Sequence, residues 1–230
     1  MFLAIDTSTP YAGIALGDGR TLLSHITWYS KFSHTVELMP AIKQLLSEYK
    51  ISPKTLTAVC VSKGPGGFSS LRVGMSVAKG LAIAGDLNIA GIGTLELEAY
   101  PYFNQKLPVC SMILSGKLDI ASAIFSSDGY RITEDTISSP EQLSESIQTK
   151  TLFCGEGLIT HYKTIKERLG DLALITESCP MNRLSSLVVL GAERIENKDF
   201  DDINHIQPNY LKMPNIGGPK KRDTMRQRLT

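Results

Sequence analysis

The predicted secondary-structure elements follow the same order twice along this chain, and this repetition limits the choice of fold more than any other feature. Apolar periodicity and turn residues in the first half predict three strands, then a helix, a strand, a helix, a strand and a helix. These elements fall at residues 2–8, 11–28 (two strands joined as a hairpin), 34–50, 57–61, 69–84, 88–93 and 94–103. The second half repeats the order more faintly, at residues 108–114, 120–126, 130–138, 141–148, 151–155, 161–169, 172–176 and 184–197. Such a duplication predicts two similar α/β lobes with a cleft between them.

We expect the boundary between the two copies near residues 104–106, where the pattern changes from helical to extended. The predicted division is a first lobe at 1–104 and a second lobe at 105–212, each within the usual size of a domain. Residues 213–230 are rich in glycine and basic side chains and have no apolar periodicity, so they are predicted to form a flexible basic tail.

The most informative local motif is a glycine-rich loop between a predicted strand and the helix that follows it. Gly64, Gly66 and Gly67 allow dihedrals and close approaches that a Cβ would block, and Ser69 or Ser70 could cap the helix. Free amides at the start of a helix can bind an anion, whereas many such loops only connect a strand closely to a helix. Both interpretations remain open at this stage.

Other polar residues near these helices suggest chemistry less strongly. Arg72 could pair with an anion at the glycine loop or with a carboxylate of the other lobe. His34 and Glu37 invite an acid–base interpretation, but surface placement and capping by Ser33 explain them more simply. The chain has no GxSxG motif, so a serine hydrolase is not expected.

The overall composition is that of an ordinary globular protein. The chain has 230 residues, 42% of them hydrophobic, and a net charge of +1, which gives no global field to attract nucleic acid or an anionic membrane. We expect no signal peptide and no membrane-spanning segment, because Asp6 and Lys79 interrupt the candidate apolar runs. The cysteines form no CxxC pair and are expected to be reduced, buried thiols in a cytoplasmic protein: Cys60, Cys110, Cys154 and Cys179.

The duplicated order is that of the actin, Hsp70 and sugar-kinase superfamily, and five segments allow a closer comparison. These segments are residues 3–9 (LAIDTST), 34–42 (HTVELMPAI), 63–82 (KGPGGFSSLRVGMSVAKGLA), 91–99 (GIGTLELEA) and 208–212 (PNYLK). They closely resemble the TsaB family, also called YeaZ, and the resemblance extends over almost the whole chain to Lys212. The chain departs from the family at Gly67, Ser69 and Ser70, where GPGSFTGLR is more usual. It also has Ser115, Gly116 and Lys117 where an Asp-Ala-Arg turn is common.

The resemblance implies a two-lobe, actin-like α/β fold of the ASKHA and RNase H-like type, built as a duplicated βββαβαβα unit. It also implies a non-catalytic scaffold in the formation of threonylcarbamoyladenosine in tRNAs that read codons beginning with A. Such a scaffold pairs with the catalytic subunit TsaD, and the ATPase subunit TsaE docks on the pair. A homodimer is a plausible state when TsaD is absent. The contact with tRNA would be indirect, no cofactor would be required, and weak ATP or ADP binding stays open.

Two features bear on the expectation that the chain has no catalytic residues and no metal site. The catalytic relatives carry a His-x-x-x-His pair on the helix after the third parallel strand, and here Thr94 and Glu98 occupy those positions. The four histidines have no ligand spacing, so no metal is expected: His25, His34, His161 and His205.

Asp6 lies at the end of the first strand, where kinases of this superfamily hold a carboxylate that positions magnesium on a nucleotide. Thr7 and Ser8 beside it could donate hydrogen bonds to a phosphate. Alternatively, the three residues only satisfy the backbone of a tight turn. We therefore name one candidate set for a vestigial nucleotide or anion contact: Asp6, Thr7, Ser8, Gly64, Gly66, Gly67 and Arg72. Asp119 is the one aspartate near a comparable place in the second lobe, so a complete phosphotransfer site is not expected.

The predicted partner surface lies on the first two helices, whose apolar and small side chains exceed what one sheet face can cover. Its candidate residues are Val36, Met39, Ile42, Val73, Gly74, Val77 and Ala78. The alternative is that both stripes line the core.

Two further alternatives remain open from the sequence. An ATP-dependent small-molecule kinase would use the cleft between the lobes and would need a second carboxylate facing Asp6. The basic tail could touch tRNA phosphates within an assembled complex, or it could simply be solvated; its basic residues are Lys220, Lys221, Arg222, Arg226 and Arg228.

Overall fold

The first sheet is built from the N-terminal part of the chain. The computed structural model describes residues 1–31, 33–176 and 183–212. The sheet has five strands in the order β3-β2-β1-β4-β5, namely β1 Phe2–Asp6, β2 Tyr11–Asp18, β3 Thr21–Tyr29, β4 Ala58–Gly64 and β5 Asn88–Gly93. The first three strands pair antiparallel, and β1, β4 and β5 are parallel. Strand β1 is apolar up to Asp6 and buried throughout, as expected for a parallel strand covered on both faces.

The second sheet has the same topology. Its order is β10-β9-β6-β7-β8, with β6 Val109–Ser115, β7 Asp119–Phe125, β8 Thr136–Ser138, β9 Thr151–Cys154 and β10 Ala173–Ile175. Again the first three strands pair antiparallel, and the other two are parallel to the first. The predicted duplicated βββαβαβα fold is confirmed, and strand β8 is shorter than the sequence predicted.

Six α-helices connect and cover these strands in the described part of the chain. They are α1 His34–Glu48, α2 Phe68–Gly85, α3 Thr94–Ala99, α4 Pro140–Ser146, α5 Gly157–Leu169 and α6 Arg183–Glu196. The predicted serine caps are wrong for α1 and α2: Ser33 makes no capping hydrogen bond, and Gly67 rather than Ser69 or Ser70 precedes α2. A capping box at Ser139 begins α4.

The final helix α6 lies on the first sheet, although it comes last in the chain. Leu184, Leu187 and Val188 pack with Phe2 and Ala4 of β1 in one buried apolar cluster. The segment after the helix also stays with the first sheet, since Asp201 N donates to Ile89 O and Asn209 N donates to Lys63 O. The assignment of residues 105–212 to one separate lobe stays a prediction, but α6 and Ile206 cover the first sheet, whereas Leu211 packs with the core of the second sheet and Lys212 pairs with Asp119 of β7.

Helix α3 joins the cores of the two sheets. Leu97 belongs to the apolar cluster beneath α6, whereas Leu95 and Ala99 pack with Val109 and Ile113 of the second sheet. The two halves of the chain therefore share a continuous interior.

Cys60, Cys110 and Cys154 are buried free thiols, in agreement with the sequence, and burial raises the pKa of Cys60 and of Cys110 to about 12. Cys179 and the predicted tail at 213–230, with its five basic residues, lie outside the described residues. Among the helices that are described, none has the length and apolarity needed to cross a membrane.

Candidate functional site

The glycine-rich loop packs directly against the turn that follows β1. Gly67 N donates to Ser8 O over 2.8 Å, so this amide already has a partner within the chain. A Cβ on Gly66 would overlap the carbonyl of Ser8, and a Cβ on Gly74 would overlap the hydroxyl of Thr7. The close approach of α2 and the loop before it to the turn after β1 therefore accounts for the glycines at positions 66 and 74.

Asp6 is buried and its carboxylate is fully engaged inside the chain. Its Oδ1 accepts hydrogen bonds from Ser8 N (2.9 Å), Ser8 Oγ (2.6 Å) and Ser62 Oγ (2.6 Å). Its Oδ2 accepts from Arg183 Nε over 2.7 Å. Burial opposes ionisation, but the charge of Arg183 and these hydrogen bonds outweigh it and lower the pKa of Asp6.

Arg183, the first residue of α6, is the centre of a buried ion cluster. Besides Asp6, its Nη1 donates to Glu98 Oε1 over 2.7 Å, and its Nη2 donates to Thr9 Oγ1 and Tyr11 O, each over 2.8 Å. Nη1 also lies 3.7 Å from Glu156 Oε2. Only 1% of the Arg183 side chain is exposed. One guanidinium therefore joins β1, the turn into β2, α3 and the segment before α5.

The two glutamates of this ion cluster hold their protons more strongly than usual. Burial raises the pKa of Glu98 to about 7, against the attraction of Arg183. Burial also raises the pKa of Glu156, whose Oε2 has no hydrogen-bond partner among the described residues. Because Asp6 stays ionised, one carboxylate neutralises the guanidinium and the other two compete for a proton.

The sequence-predicted nucleotide residues end up in different environments. Asp6, Thr7 and Ser8 are buried in the turn, and Thr7 Oγ1 donates to Ser70 O. Gly66 belongs to the loop packed on them, whereas Gly64 ends strand β4 and lies against the backbone of Asn209. Arg72 is exposed and its guanidinium lies over the ring of Phe68 at 5.4 Å from the centroid, so it does not join the other candidates.

Sequence reasoning missed Arg183 and Glu156 entirely. Both are separated from Asp6 by more than a hundred positions, and neither stands in a recognisable motif. The one available signal was Asp6 itself, since a carboxylate in a buried strand requires a buried cation or several hydrogen-bond donors.

His34 is buried, which corrects the expectation of ordinary surface placement. Its Nδ1 is 3.1 Å from Ser30 Oγ and its Nε2 is 3.3 Å from Thr9 O, so it fastens the start of α1 to the first turn. Glu37 accepts a hydrogen bond from Trp28 Nε1 over 2.9 Å. Both residues therefore have structural partners within the chain.

An apolar groove of about 520 Å³ opens between the N-terminal ends of α1 and α2. Most of its exposed wall is apolar, and its polar side chains are serine and threonine hydroxyls, Lys31 and His34. Its lining includes Pro10, Tyr29, Lys31, Thr35, Phe68 and Val73. The groove adjoins the surface on which the sequence predicted a partner.

The residues predicted for that partner surface divide into two groups. Val36 and Met39 are exposed by 72% and 46%, and Val73 and Val77 are half-buried. Ile42, Gly74 and Ala78 are buried inside this chain and face its own core, so they cannot contact a partner without rearrangement. The buried side of α1 is formed by Leu38, Ile42, Leu45 and Leu46, so the exposed Val36 and Met39 lie on a different side of the helix from Ile42.

Thr94 and Glu98 do not form a metal site in this arrangement. Thr94 is buried and Glu98 is bound to Arg183. Within residues 1–31, 33–176 and 183–212, no group of three His, Cys, Asp or Glu side chains has the arrangement needed to hold a metal ion.

Residues 22–215 match the family model described as TsaD: tRNA N6-adenosine threonylcarbamoyltransferase. The match covers most of the chain, so the protein belongs to this family of two-lobe, actin-like proteins.

Relatives that match over nearly the whole chain place it in the TsaB, or YeaZ, branch. The chain is 29% identical to the tRNA threonylcarbamoyladenosine biosynthesis protein TsaB of Bacillus subtilis, over 92% of this chain and 93% of the relative. It is 26% identical to the protein of the same name from Haemophilus influenzae, over 91% and 92% of the two chains. The structure of YeaZ from Pseudomonas aeruginosa has the same fold, with a TM-score of 0.75 at 19% identity, covering 91% of this chain and 99% of that one.

Proposed function

We propose that this protein is a non-catalytic subunit in the formation of tRNA threonylcarbamoyladenosine, acting as a scaffold for the catalytic subunit TsaD. The relatives in Bacillus subtilis and Haemophilus influenzae are named as biosynthesis proteins of this modification, and the chain matches both over nearly their full length. Since the substrate is tRNA, we assign the protein to the cytoplasm.

The non-catalytic part of the proposal rests on the hydrogen bonds and the ion pair that occupy the carboxylate of Asp6. A carboxylate that positions magnesium must reach the metal, but Asp6 accepts three hydrogen bonds on one oxygen and an arginine on the other. Glu98, at the second position of the catalytic histidine pair, is also bound to Arg183. These contacts leave neither carboxylate free for phosphotransfer or metal chemistry.

The surface best suited to TsaD comprises the apolar groove and the exposed part of α1 beside it. Val36 and Met39 offer apolar area that this chain does not bury, and Val73 lines the groove. Partial exposure of apolar side chains around a concave site is typical of a protein interface. We propose that TsaD covers this surface in a heterodimer, that TsaE docks on the pair, and that a second copy of this chain covers it when TsaD is absent.

We propose that no cofactor is required. The Gly67 amide and the Ser8 carbonyl are bonded to each other, which removes one donor from the proposed anion contact. Weak ATP or ADP binding stays a hypothesis, and calorimetric titration of the isolated chain with each nucleotide would test it.

The decisive experiment is reconstitution of the modification. TsaD and TsaE from the same organism are supplied with tRNA, ATP and threonylcarbamoyl-adenylate, with and without this protein, and modified adenosine is measured by mass spectrometry. We expect formation of the product to depend on this chain, and the chain alone to form none. Equal product without the chain would contradict the scaffold role.

A matched pair of variants tests the surface. Val36→Asp puts a charge on α1 beside the groove, and Ile159→Asp puts the same charge on α5, where the side chain is 63% exposed. We expect Val36→Asp to weaken binding to TsaD at least tenfold, about 1.4 kcal/mol, without loss of thermal stability. Ile159→Asp should bind like the unmodified protein, and equal weakening by both variants would argue against the assigned surface.

The kinase alternative is not favoured, because it requires a free carboxylate at position 6. Measurement of magnesium-dependent ATP turnover by the isolated chain checks this point, and turnover that is lost in Asp6→Asn would restore the alternative.

A further inference from the structure

The ion cluster around Arg183 has the composition of a binding site rather than of a simple ion pair. Three carboxyl groups, from Asp6, Glu98 and Glu156, surround one guanidinium, and all four side chains are buried. Replacement of such groups by apolar side chains is often neutral or stabilising, so a cluster of this kind does not arise from stability alone.

Nearly all the N–H groups of Arg183 donate to a nearby acceptor. A guanidinium has five N–H groups in one plane. Four of them have acceptors at 2.7 or 2.8 Å, on Asp6, Glu98, Thr9 and Tyr11. The remaining Nη1 hydrogen is on the nitrogen that lies 3.7 Å from Glu156 Oε2. The pocket is therefore shaped for a planar, forked cation.

Glu156 provides an independent observation. Its side chain is about 94% buried and its carboxylate receives a hydrogen bond from Thr9, yet its Oε2 has no hydrogen-bond partner in the described part of the chain. A buried carboxylate oxygen without a partner is costly and is retained where a cation or a proton is bound nearby. This oxygen faces Arg183 from the second half of the chain, whereas Asp6 and Glu98 face it from the first.

We propose that the junction of the two sheets is a binding site for one guanidinium cation, and that the chain fills this site with its own Arg183. The side chain acts as an internal ligand, joins α6 to both halves of the protein, and occupies the position through which an external cation would reach Asp6. Removal of the side chain should leave a preformed pocket that binds a free alkylguanidinium.

The test is chemical rescue of Arg183→Ala with ethylguanidinium, followed by thermal unfolding and by calorimetric titration. We expect the variant to unfold several degrees below the unmodified protein, and ethylguanidinium at millimolar concentration to restore part of this loss in a saturable manner. Ethylammonium should restore much less, because it has fewer donors and no planar fork.

Arg194→Ala is the matched control. Arg194 lies on the same helix and pairs with Asp199 and Asp201, but its side chain is 21% exposed and it lies outside the junction. Ethylguanidinium should change neither this variant nor the unmodified protein. Absence of rescue for Arg183→Ala, or equal rescue of both variants, would overturn the proposal.

Should Arg183→Ala fail to fold during expression, refolding from urea with and without ethylguanidinium provides the same test. Recovery of the native near-ultraviolet circular dichroism only with ethylguanidinium supports the site. Failure under both conditions counts against it, because a preformed pocket would have been filled.

Discussion

Gly74 and Gly80 of helix α2 are six residues apart and lie in different surroundings. Gly74 is buried against Thr7, whose hydroxyl donates to Ser70 O, whereas Gly80 has no atom within 4 Å of the position of a Cβ. Alanine at position 74 should therefore force helix and turn apart and cost about 1–3 kcal/mol. Alanine at position 80 should stabilise the helix by about 0.5–1 kcal/mol. Urea unfolding of the two variants measures both effects.

The essential result is that the free energy of unfolding falls for alanine at position 74 and rises for alanine at position 80. Similar destabilisation by both would mean that general features of α2, and not the contact with Thr7, determine the effect. The close approach of α2 to the first turn would then need another explanation.

Glu98 makes the stability of the protein depend on pH. Its pKa is about 7 in the folded chain against an ordinary value of 4.5, chiefly because of burial. Between these values the unfolded chain releases a proton that the folded chain keeps, so the free energy of unfolding falls as pH rises from about 4.5 to 7 and then levels off. The loss is at most on the order of 3 kcal/mol. Urea unfolding at several pH values measures it.

A neutral side chain at this position should remove the part of that dependence that Glu98 contributes, while the raised pKa values of Glu96 and Glu156 leave a residual slope. Glu98→Gln is expected to have a flatter profile between pH 5 and about 7 than the unmodified protein, since Gln carries no titrating proton. Glu134→Gln, on an exposed loop, should retain the original profile. The lowered pKa of Asp6 acts in a separate window, below its ordinary value of 3.8, where stability is lost as pH falls. A profile for Glu98→Gln as steep as the original would contradict the assignment.

Local sequence identified half of this ion cluster. Asp6 stands out because a carboxylate at the end of an apolar strand is unusual, and Glu98 was noted from its position on the third helix. Arg183 could not be found in this way, because its contacts with Asp6 and Glu98 join residues 177 and 85 positions apart. Glu156 could not be found either, because its place in the cluster depends on its contact with Arg183. Such contacts depend on tertiary packing, which cannot be predicted from a local sequence pattern.

At the scale of elements, helix α6 should contribute more to stability than its place at the end of the chain suggests. Leu187 is fully buried between α6 and the first sheet, whereas Leu174 on the edge strand β10 is 43% exposed. Leu187→Ala removes a side chain from a packed core and is expected to cost about 2–5 kcal/mol. Leu174→Ala should cost less than about 1 kcal/mol. Thermal and urea unfolding of the two leucine variants checks the expectation, and equal losses would mean that α6 is loosely attached.

Helix α1 shows why an apolar pattern alone misjudged a face. Val36 and Met39 were grouped with Ile42 because they are three positions apart in sequence. An α-helix has 3.6 residues per turn, so Val36 is rotated from Ile42 by about a third of a turn and lies away from the core. The pattern therefore predicted the helix correctly but combined its buried side with its exposed side.

At the scale of the whole molecule, the duplication was predictable because each copy has its own local periodicity. Each strand and each helix is a run of consecutive residues with its own apolar periodicity, so the order of the elements can be predicted from the sequence. Both sheets have the predicted topology. The sheet on which α6 packs was not predictable in this way. Its apolar side could have packed on either sheet, and only the complete tertiary structure determines which one it covers.

The shared interior makes a prediction about folding as a whole. Two lobes joined only by a linker would unfold independently, but here α3 contributes to both cores and α6 carries Arg183 into contact with Glu156 of the second half. Neither sheet can lose its structure without exposing apolar surface of the other, so we expect one cooperative transition in differential scanning calorimetry. The calorimetric enthalpy should equal the van't Hoff enthalpy for the unmodified chain. Two separate transitions would mean that the contacts through α3 and α6 are too weak to couple the halves.

In Arg183→Met, which keeps the bulk of the side chain but removes the link to Glu156, the transition should broaden, because one of the two couplings is lost while the packing of α3 remains.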